Sequence, residues 1–274
     1  MGQKINSTIF RAGLKNSDWR FKYINKNSEE SSIFLYKNIE IQNYVNKICK
    51  NYNILVTNCR IEHTQSAIKI LIFFYRLNNT HQKIKNDLND KQIISSVVTK
   101  ILTINSNLYF KNKIAIIKTQ NLSKKFEHYI HKNRHYLFDY KATIKLFKKF
   151  LKDPLQKNLI KILFITTIEK NSAKLLADFI ALYLNKNKKK HNYLFFLLKK
   201  ITTNLLKLNF TKITGIKILV TGRFNGAPRA KSKTLTLGIV PLQSFNSNID
   251  YHNSTSFTQN GTFGVKVWIC EKKN

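Results

Sequence analysis

Gly215-Ile216-Lys217-Ile218-Leu219-Val220-Thr221-Gly222-Arg223 and, further on, Gly261-Thr262-Phe263-Gly264-Val265-Lys266-Val267-Trp268-Ile269 decide the fold of this chain. Both runs are short, rich in β-branched residues and bounded by glycine, the pattern of strands that end in turns. In the second, Val265, Val267 and Ile269 alternate with Lys266 and Trp268. The spacing predicts valine and isoleucine facing a core, with Trp268 on the opposite face. Thr234 to Leu242 reads as a further strand. Upstream, Ala173 to Leu184 places Leu175, Leu176, Phe179, Ile180 and Tyr183 on one helical face, and Tyr193 to Leu208 gives a second apolar helix. Helices with one apolar stripe bury it against a sheet, so the class is α+β, with two helices on an antiparallel sheet.

The N-terminal half repeats the class with a different order. Ile41, Tyr44, Val45 and Ile48 recur at helical spacing, and Ile54 to Glu62 and Ala67 to Tyr75 read as two strands separated by His63-Thr64-Gln65-Ser66. Leu159 to Ile168 reads as another strand. Between them, residues 78 to 158 alternate polar stretches with expected helices at Ile93 to Leu102 and Ala142 to Leu151, and Pro154 marks a stop.

Composition points to a polyanion. The 274 residues carry 48 Lys and Arg against 14 Asp and Glu, a formal net charge of +34. A chain so charged repels itself and attracts nucleic acid or acidic membrane. The apolar runs around Ile68 to Tyr75 and Leu159 to Thr167 fall short of the ~20 residues that span a bilayer, so no membrane span is expected. A 43% hydrophobic content with 19 Phe and 12 Tyr supplies packed cores. Only seven of the basic residues are Arg, although Arg grips phosphate better than Lys. The excess of Lys, Asn, Ile and Phe therefore reflects A+T-rich codons, as in an organellar genome.

Catalytic and metal patterns are missing. The cysteines Cys49, Cys59 and Cys270 form no CxxC pair, and His131 and His135 stand at i,i+4 without the carboxylate a metallohydrolase needs. No Walker loop, GxSxG or HExxH occurs, and the acids Glu62, Asp87, Asp90, Asp139 and Asp178 form no convincing pair for metal-assisted RNA chemistry. The expectation is a chain that is not an enzyme and takes neither metal nor cofactor. Met1-Gly2 followed by Asn6 does not fit a myristoylation signal.

The C-terminal runs resemble the small-subunit ribosomal protein S-three family, in its mitochondrial type. Gly215 to Arg223 is followed in the family's order by Val240-Pro241-Leu242, Ile249-Asp250-Tyr251 and Gly261 to Ile269. Ala173 to Asp178 is similar to the first helix of that domain, and Met1-Gly2-Gln3-Lys4 to the family's start. The resemblance implies residues 1–38 as an rRNA-binding extension. It implies 39–170 as a divergent type II KH-like domain with a large insertion at about 78–158, and 171–274 as the C-terminal domain. A KH domain clamps nucleic acid through a GxxG loop. Here Arg76-Leu77-Asn78-Asn79-Thr80-His81-Gln82-Lys83 stands in its place, and no glycine occurs between Gly13 and Gly215.

The implied function is structural: binding small-subunit ribosomal RNA in the subunit head and contributing to the mRNA entrance channel. The basic turn assigns Arg223, Arg229, Lys231 and Lys233, with Lys4 and Arg11, to rRNA. The run Lys186, Lys188, Lys189 and Lys190, with Lys199 and Lys200 on the next helix, is assigned to mRNA. The family's basic pair before Lys199 is replaced by Phe195 and Phe196, aromatics that at helical spacing are more often core than base-stacking. Implied partners are the small-subunit ribosomal proteins ten and fourteen and organelle-specific ribosomal proteins. The start at Met1-Gly2-Gln3-Lys4 leaves no room for a presequence, so the expected place is the mitochondrial matrix, with the gene in the organelle. The alternatives are a plastid ribosomal protein and a free KH-type RNA-binding regulator.

Overall fold

The computed structural model describes residues 5–14, 19–64, 66–77, 114–147, 153–169, 172–187, 191–208 and 211–272. It divides into two compact units, residues 18–125 and residues 1–17 with 126–274.

In the first unit, helix α2 (Ser28–Asn51) buries Ile41, Val45 and Cys49 against a four-stranded sheet. The sheet runs β1 (Phe21–Lys22), β2 (Ile54–His63), β3 (Ala67–Arg76), β4 (Ile114–Asn121) in spatial order. Strands β2 and β3 are antiparallel, while β1 on β2 and β4 on β3 are parallel. One residue decides how β2 presents its core face. Ile54 and Val56 point inward at even positions, Cys59 and Ile61 at odd ones, and the register shifts between Val56 and Asn58. A bulge at Thr57 changes the parity, and the Thr57 hydroxyl donates to Phe73 O at 3.0 Å across the shift. Under α2, the fully buried Asn38 shares a 2.6 Å hydrogen bond with His63 Nε2 at the end of β2.

Helix, strand, strand and a later parallel strand are consistent with the KH-like expectation. The reading of 78–158 as an insertion does not hold for Ile114–Asn121. That stretch pairs along β3 from Ala67↔Ile114 to Phe74↔Asn121 and completes the sheet. The expected helix at 93–102 and the Arg76–Lys83 loop beyond Leu77 lie outside the described residues.

The second unit begins with α3 (Leu122–Lys132, from Phe126), α4 (Arg134–Phe147) and α5 (Pro154–Ile168). The expected strand at Leu159 to Ile168 is helical. Pro154 stands at the helix start, and the Gln156 carboxamide reaches back to donate to Asp153 Oδ2 at 2.9 Å and accept from Asp153 N at 3.4 Å. Residues Leu159, Ile160, Ile162, Leu163, Phe164 and Ile165 are all buried. A helix apolar on every side shows no helical period, which is why its sequence imitates a buried strand. Tyr140 and Phe126 set their rings against Phe164 at 4.9 and 6.3 Å, joining α3 and α4 to this helix. This packing places the division between units near residue 125 rather than at 170.

Helices α6 (Ala173–Lys186) and α7 (His191–Lys207) then lie on one face of an antiparallel sheet. Its strands are β5 (Ile213–Gly222), β6 (Lys231–Gly238), β7 (Asn248–Thr258) and β8 (Gly261–Glu271), in the order β6-β5-β8-β7. Val265, Val267 and Ile269 meet the helices, with Ile216, Ile218 and Val220 beside them in β5. Trp268 is on the other face, as alternation requires, in a cluster with Ile249, Cys270, Leu219, Val240, Leu242 and Tyr251. Strand β6 stops at Gly238, four residues short of the expected Leu242. Gly238 has φ +72° and lies so close to Thr214 O that a Cβ has no room.

Candidate nucleic-acid interface

The turn between β5 and β6 carries most of the basic residues assigned to rRNA, and its shape is fixed from within. Gly222 passes so close to the Phe263 ring that a side chain at this position would collide with it. Phe224 then turns inward and meets Phe263 edge-on at 5.4 Å and Phe195 at 5.7 Å. Asn225 follows in the left-handed region at φ +56°, a conformation asparagine tolerates better than most residues. Its backbone N–H donates to His191 Nδ1 at 3.1 Å, and its Oδ1 accepts from His191 N at 3.3 Å. This reciprocal pair ties the turn to the first residue of α7.

His191 is 2% exposed and its pKa is lowered, first by burial and further by the nearby Lys233 ammonium. Only the neutral ring can accept at Nδ1, so burial and hydrogen bond select the same form.

With its base fixed, the turn presents its cations outward. Arg223 is exposed, and its Nε donates to Ala227 O at 2.8 Å, which orients the guanidinium. Arg229 and Lys231 are exposed. Lys233 lies over the Phe224 ring at 4.8 Å and the Phe195 ring at 5.6 Å, and donates to Asn192 Oδ1 on α7. Strand β6 is an edge strand with α7 packed along it. The exposed Lys199 and Lys200 of that helix therefore belong to the same side of the unit. Phe196 is 44% exposed with Lys200 Nζ 4.3 Å above its ring, so it is not a core residue, whereas Phe195 is half-buried against Phe224. No Asp or Glu occurs between Asp178 and Asp250, which leaves the positive field of this side uncompensated by its own sequence.

The remaining assigned residues divide. Lys186 is exposed at the end of α6, while Lys4, Lys188, Lys189 and Lys190 lie outside the described residues. Arg11 departs from its assignment to rRNA. It is 8% exposed, just after the short helix α1 (Ser7–Phe10), and its donors are engaged by the chain itself. The guanidinium reaches Ser7 O at 2.9 Å, Leu242 O at 2.9 Å, Ser244 O at 2.6 Å and Pro241 O at 3.2 Å. A fork filled by four carbonyls has little left for a phosphate. Sequence reasoning had also passed over His191 and Asn225. The Asn225-Gly226 dipeptide was the available signal, since it favours a positive-φ turn.

Among the described residues no group of three or more His, Cys, Asp or Glu is placed to hold a metal ion, and no helix is long and apolar enough to cross a membrane. Comparison with known proteins bears on the same region. Residues 198–269 match the family model described as ribosomal protein S3, C-terminal domain. This stretch is similar to an S3 C-terminal domain.

Similarity to the S3 family extends further along the chain. It is 37% identical over 138 residues to the small ribosomal subunit protein uS3c of Tupiella akineta, covering 47% of this chain and 57% of that one. With the small ribosomal subunit protein uS3 of Vesicomyosocius okutanii it shares 27% identity over 269 residues, 98% of this chain and 88% of the relative. The uS3c of Cyanidium caldarium is 49% identical over 57 residues, 21% of this chain and 28% of the relative. For several relatives the match spans a quarter or less of their own length, 23%, 10% and 25% in three cases. The S3 match begins within α7 and takes in the β5–β6 turn and all four strands. The locked turn, the basic edge strand and the exposed lysines of α7 thus lie within the stretch that resembles an S3 C-terminal domain.

Proposed function

We propose that the chain is a structural constituent of the small subunit of a mitochondrial ribosome. It binds small-subunit rRNA through Arg223, Arg229, Lys231 and Lys233, with Lys4, and lines the mRNA entrance channel with Lys186, Lys188, Lys189, Lys190, Lys199 and Lys200. The observation that carries the reading is the turn from Arg223 to Lys233, locked by Asn225 to the start of α7 and standing in an acid-free stretch within the matched S3 domain. Cations held at fixed positions lose less freedom on meeting phosphates, and each contact releases counterions. Partners consistent with this role are the small-subunit ribosomal proteins ten and fourteen and organelle-specific ribosomal proteins. No chemical step is assigned to the chain.

Amino-acid usage skewed toward Lys, Asn, Ile and Phe supports an organellar gene, and the lack of glycine in Arg76–Lys83, where the KH loop is expected, favours the mitochondrion. The uS3c relatives favour a second reading, a plastid ribosome. Sedimentation of lysates from purified mitochondria and plastids, probed with an antibody to the chain, distinguishes them. The expected result is stoichiometric migration with the mitochondrial small subunit, moving to lighter fractions after ribonuclease. Migration only with free or messenger-bound fractions overturns the ribosomal role and returns the chain to the class of RNA-binding regulators.

A further inference from the structure

The face of the C-terminal sheet turned away from α6 and α7 is covered over one end and open over the other. At the covered end, Ile249, Trp268 and Cys270 are buried beneath Val240 and Leu242 of the loop that follows β6. Arg11 holds that loop by its carbonyls, and Phe10 stacks on Phe245 at 4.2 Å. Along the border, Lys217, Trp268 and Tyr251 stand in register, with Lys217 Nζ 5.6 Å from the Trp268 ring and the Tyr251 ring 5.2 Å from it.

Beyond the border the face changes character. One row across the strands holds Thr234, Leu219, Lys266 and Asn253, exposed but for the half-buried Leu219, and the next holds Ser232, Thr221 and Thr255, all exposed, with the half-buried Gly264 among them. These side chains offer hydroxyls, an amide and an ammonium, and no carboxylate stands among them. Asp250 faces the helices, where its Oδ2 accepts from Ala173 N at 2.7 Å.

We propose that this open half is a second RNA-binding surface, a sequence-indifferent platform for the sugar–phosphate backbone of small-subunit RNA. The inference rests on the ribosomal reading for its partner but uses none of the residues assigned there. Ser, Thr, Asn and Lys are the side chains that, with Arg, make most contacts to phosphate and sugar, and they carry no sequence information in doing so. A protein partner is the less suited occupant. Stable protein interfaces are centred on apolar and aromatic groups, and on this face the chain has covered most of its own with the Val240–Leu242 loop, leaving Leu219 half-buried and Phe257 exposed at the far end of β7. Lys266 adds positive charge in a chain of net charge +34, which matches a polyanion.

The test uses the full chain with an in vitro transcript of the 3′ part of the small-subunit rRNA. The double variant Thr234→Glu and Lys266→Glu changes two exposed positions, and circular dichroism with a thermal melt verifies that it folds. Expected are at least tenfold weaker binding at moderate salt and a salt dependence shallower by about one counterion. In parallel, isolated small subunits are irradiated with ultraviolet light, and nucleotide adducts are expected on peptides from β6, β7 or β8. If the folded double variant binds as tightly as the parent while Arg223→Ala with Arg229→Ala binds more weakly, the platform is wrong and the ribosomal reading stands. Peptides of this face crosslinked only to another protein also overturn it. A parent chain that neither binds the transcript nor sediments with the subunit fails both readings together.

Discussion

Arg11 and His191 show how a polar side chain can be spent on architecture in a protein rich in cations. Arg11 is a basic residue among many, yet among the described residues it alone of the assigned cations is buried against backbone carbonyls. Its replacement by Ala removes a donor from each of those carbonyls in a partly dry site and leaves Pro241 O and Ser244 O to share the Ser247 hydroxyl, a loss on the order of 2–3 kcal/mol. Lys should recover only part of it, having no planar fork; urea unfolding of the two variants checks both expectations. His191 supplies a pH signature. The unfolded chain's histidines take up protons near pH 6.5, while burial holds His191 below that value in the fold. Its contribution is therefore fully present above about 6.5 and is lost as pH falls toward the lower folded value, where the ring must charge and release Asn225 N–H. Between pH 7.5 and 5, the urea midpoint of His191→Phe should fall less steeply than that of the parent. An equal slope in both would show that the pair does not titrate in this range.

At the scale of elements, the cap on α6 comes from a strand far away in sequence. Asp250 of β7 accepts from the first helical N–H at Ala173, where a carboxylate also meets the positive end of the helix. Asp250→Ala should cost about 1 kcal/mol and lower the melting temperature of the domain, with Asn recovering part of the loss. Nothing in local sequence announced that contact, and the same holds for β7 itself. Its inward positions His252, Ser254 and Ser256 are polar, so it lacks the alternation that revealed β8. Strand β8 and helices α6 and α7 are legible because each has one apolar face and one more polar one, and β2, β3 and β5 because they are short runs of β-branched and aromatic residues between turn signals. Helix α5, buried on every side but the narrow Lys157–Lys161 edge, imitates a strand for want of a contrast between faces. The turn's cations were legible as a charge pattern, but the His191–Asn225 lock was not, since its partners are 34 residues apart.

For the whole molecule, charge sets the expected response to salt. If Arg223 and Arg229 each neutralise a phosphate, changing both to Ala should reduce the slope of log affinity against log salt by roughly 1.4–1.8, at ~0.7–0.9 per contact. Filter binding across 50–200 mM salt measures it, and the same variant should incorporate poorly into subunits. Ala at Lys199 and Lys200, on the outer face of α7, should instead leave assembly intact and slow translation through hairpin-containing messages; a normal rate in such an assay would remove the mRNA role and leave the structural one. The order of strands in the C-terminal sheet bears on something else, the timing of synthesis. The fourth strand of that sheet in sequence, β8, lies between β5 and β7, and among the described residues β7 has no other neighbour. While a ribosome is still making residues 261–271, β5 lacks a partner on one side and β7 lacks any, so the sheet cannot assemble strand by strand as it emerges. The domain must close in one late event. A nascent chain stalled before Gly261 would expose two unpaired strand edges and the apolar faces of α6 and α7, a state suited to chaperones and to aggregation.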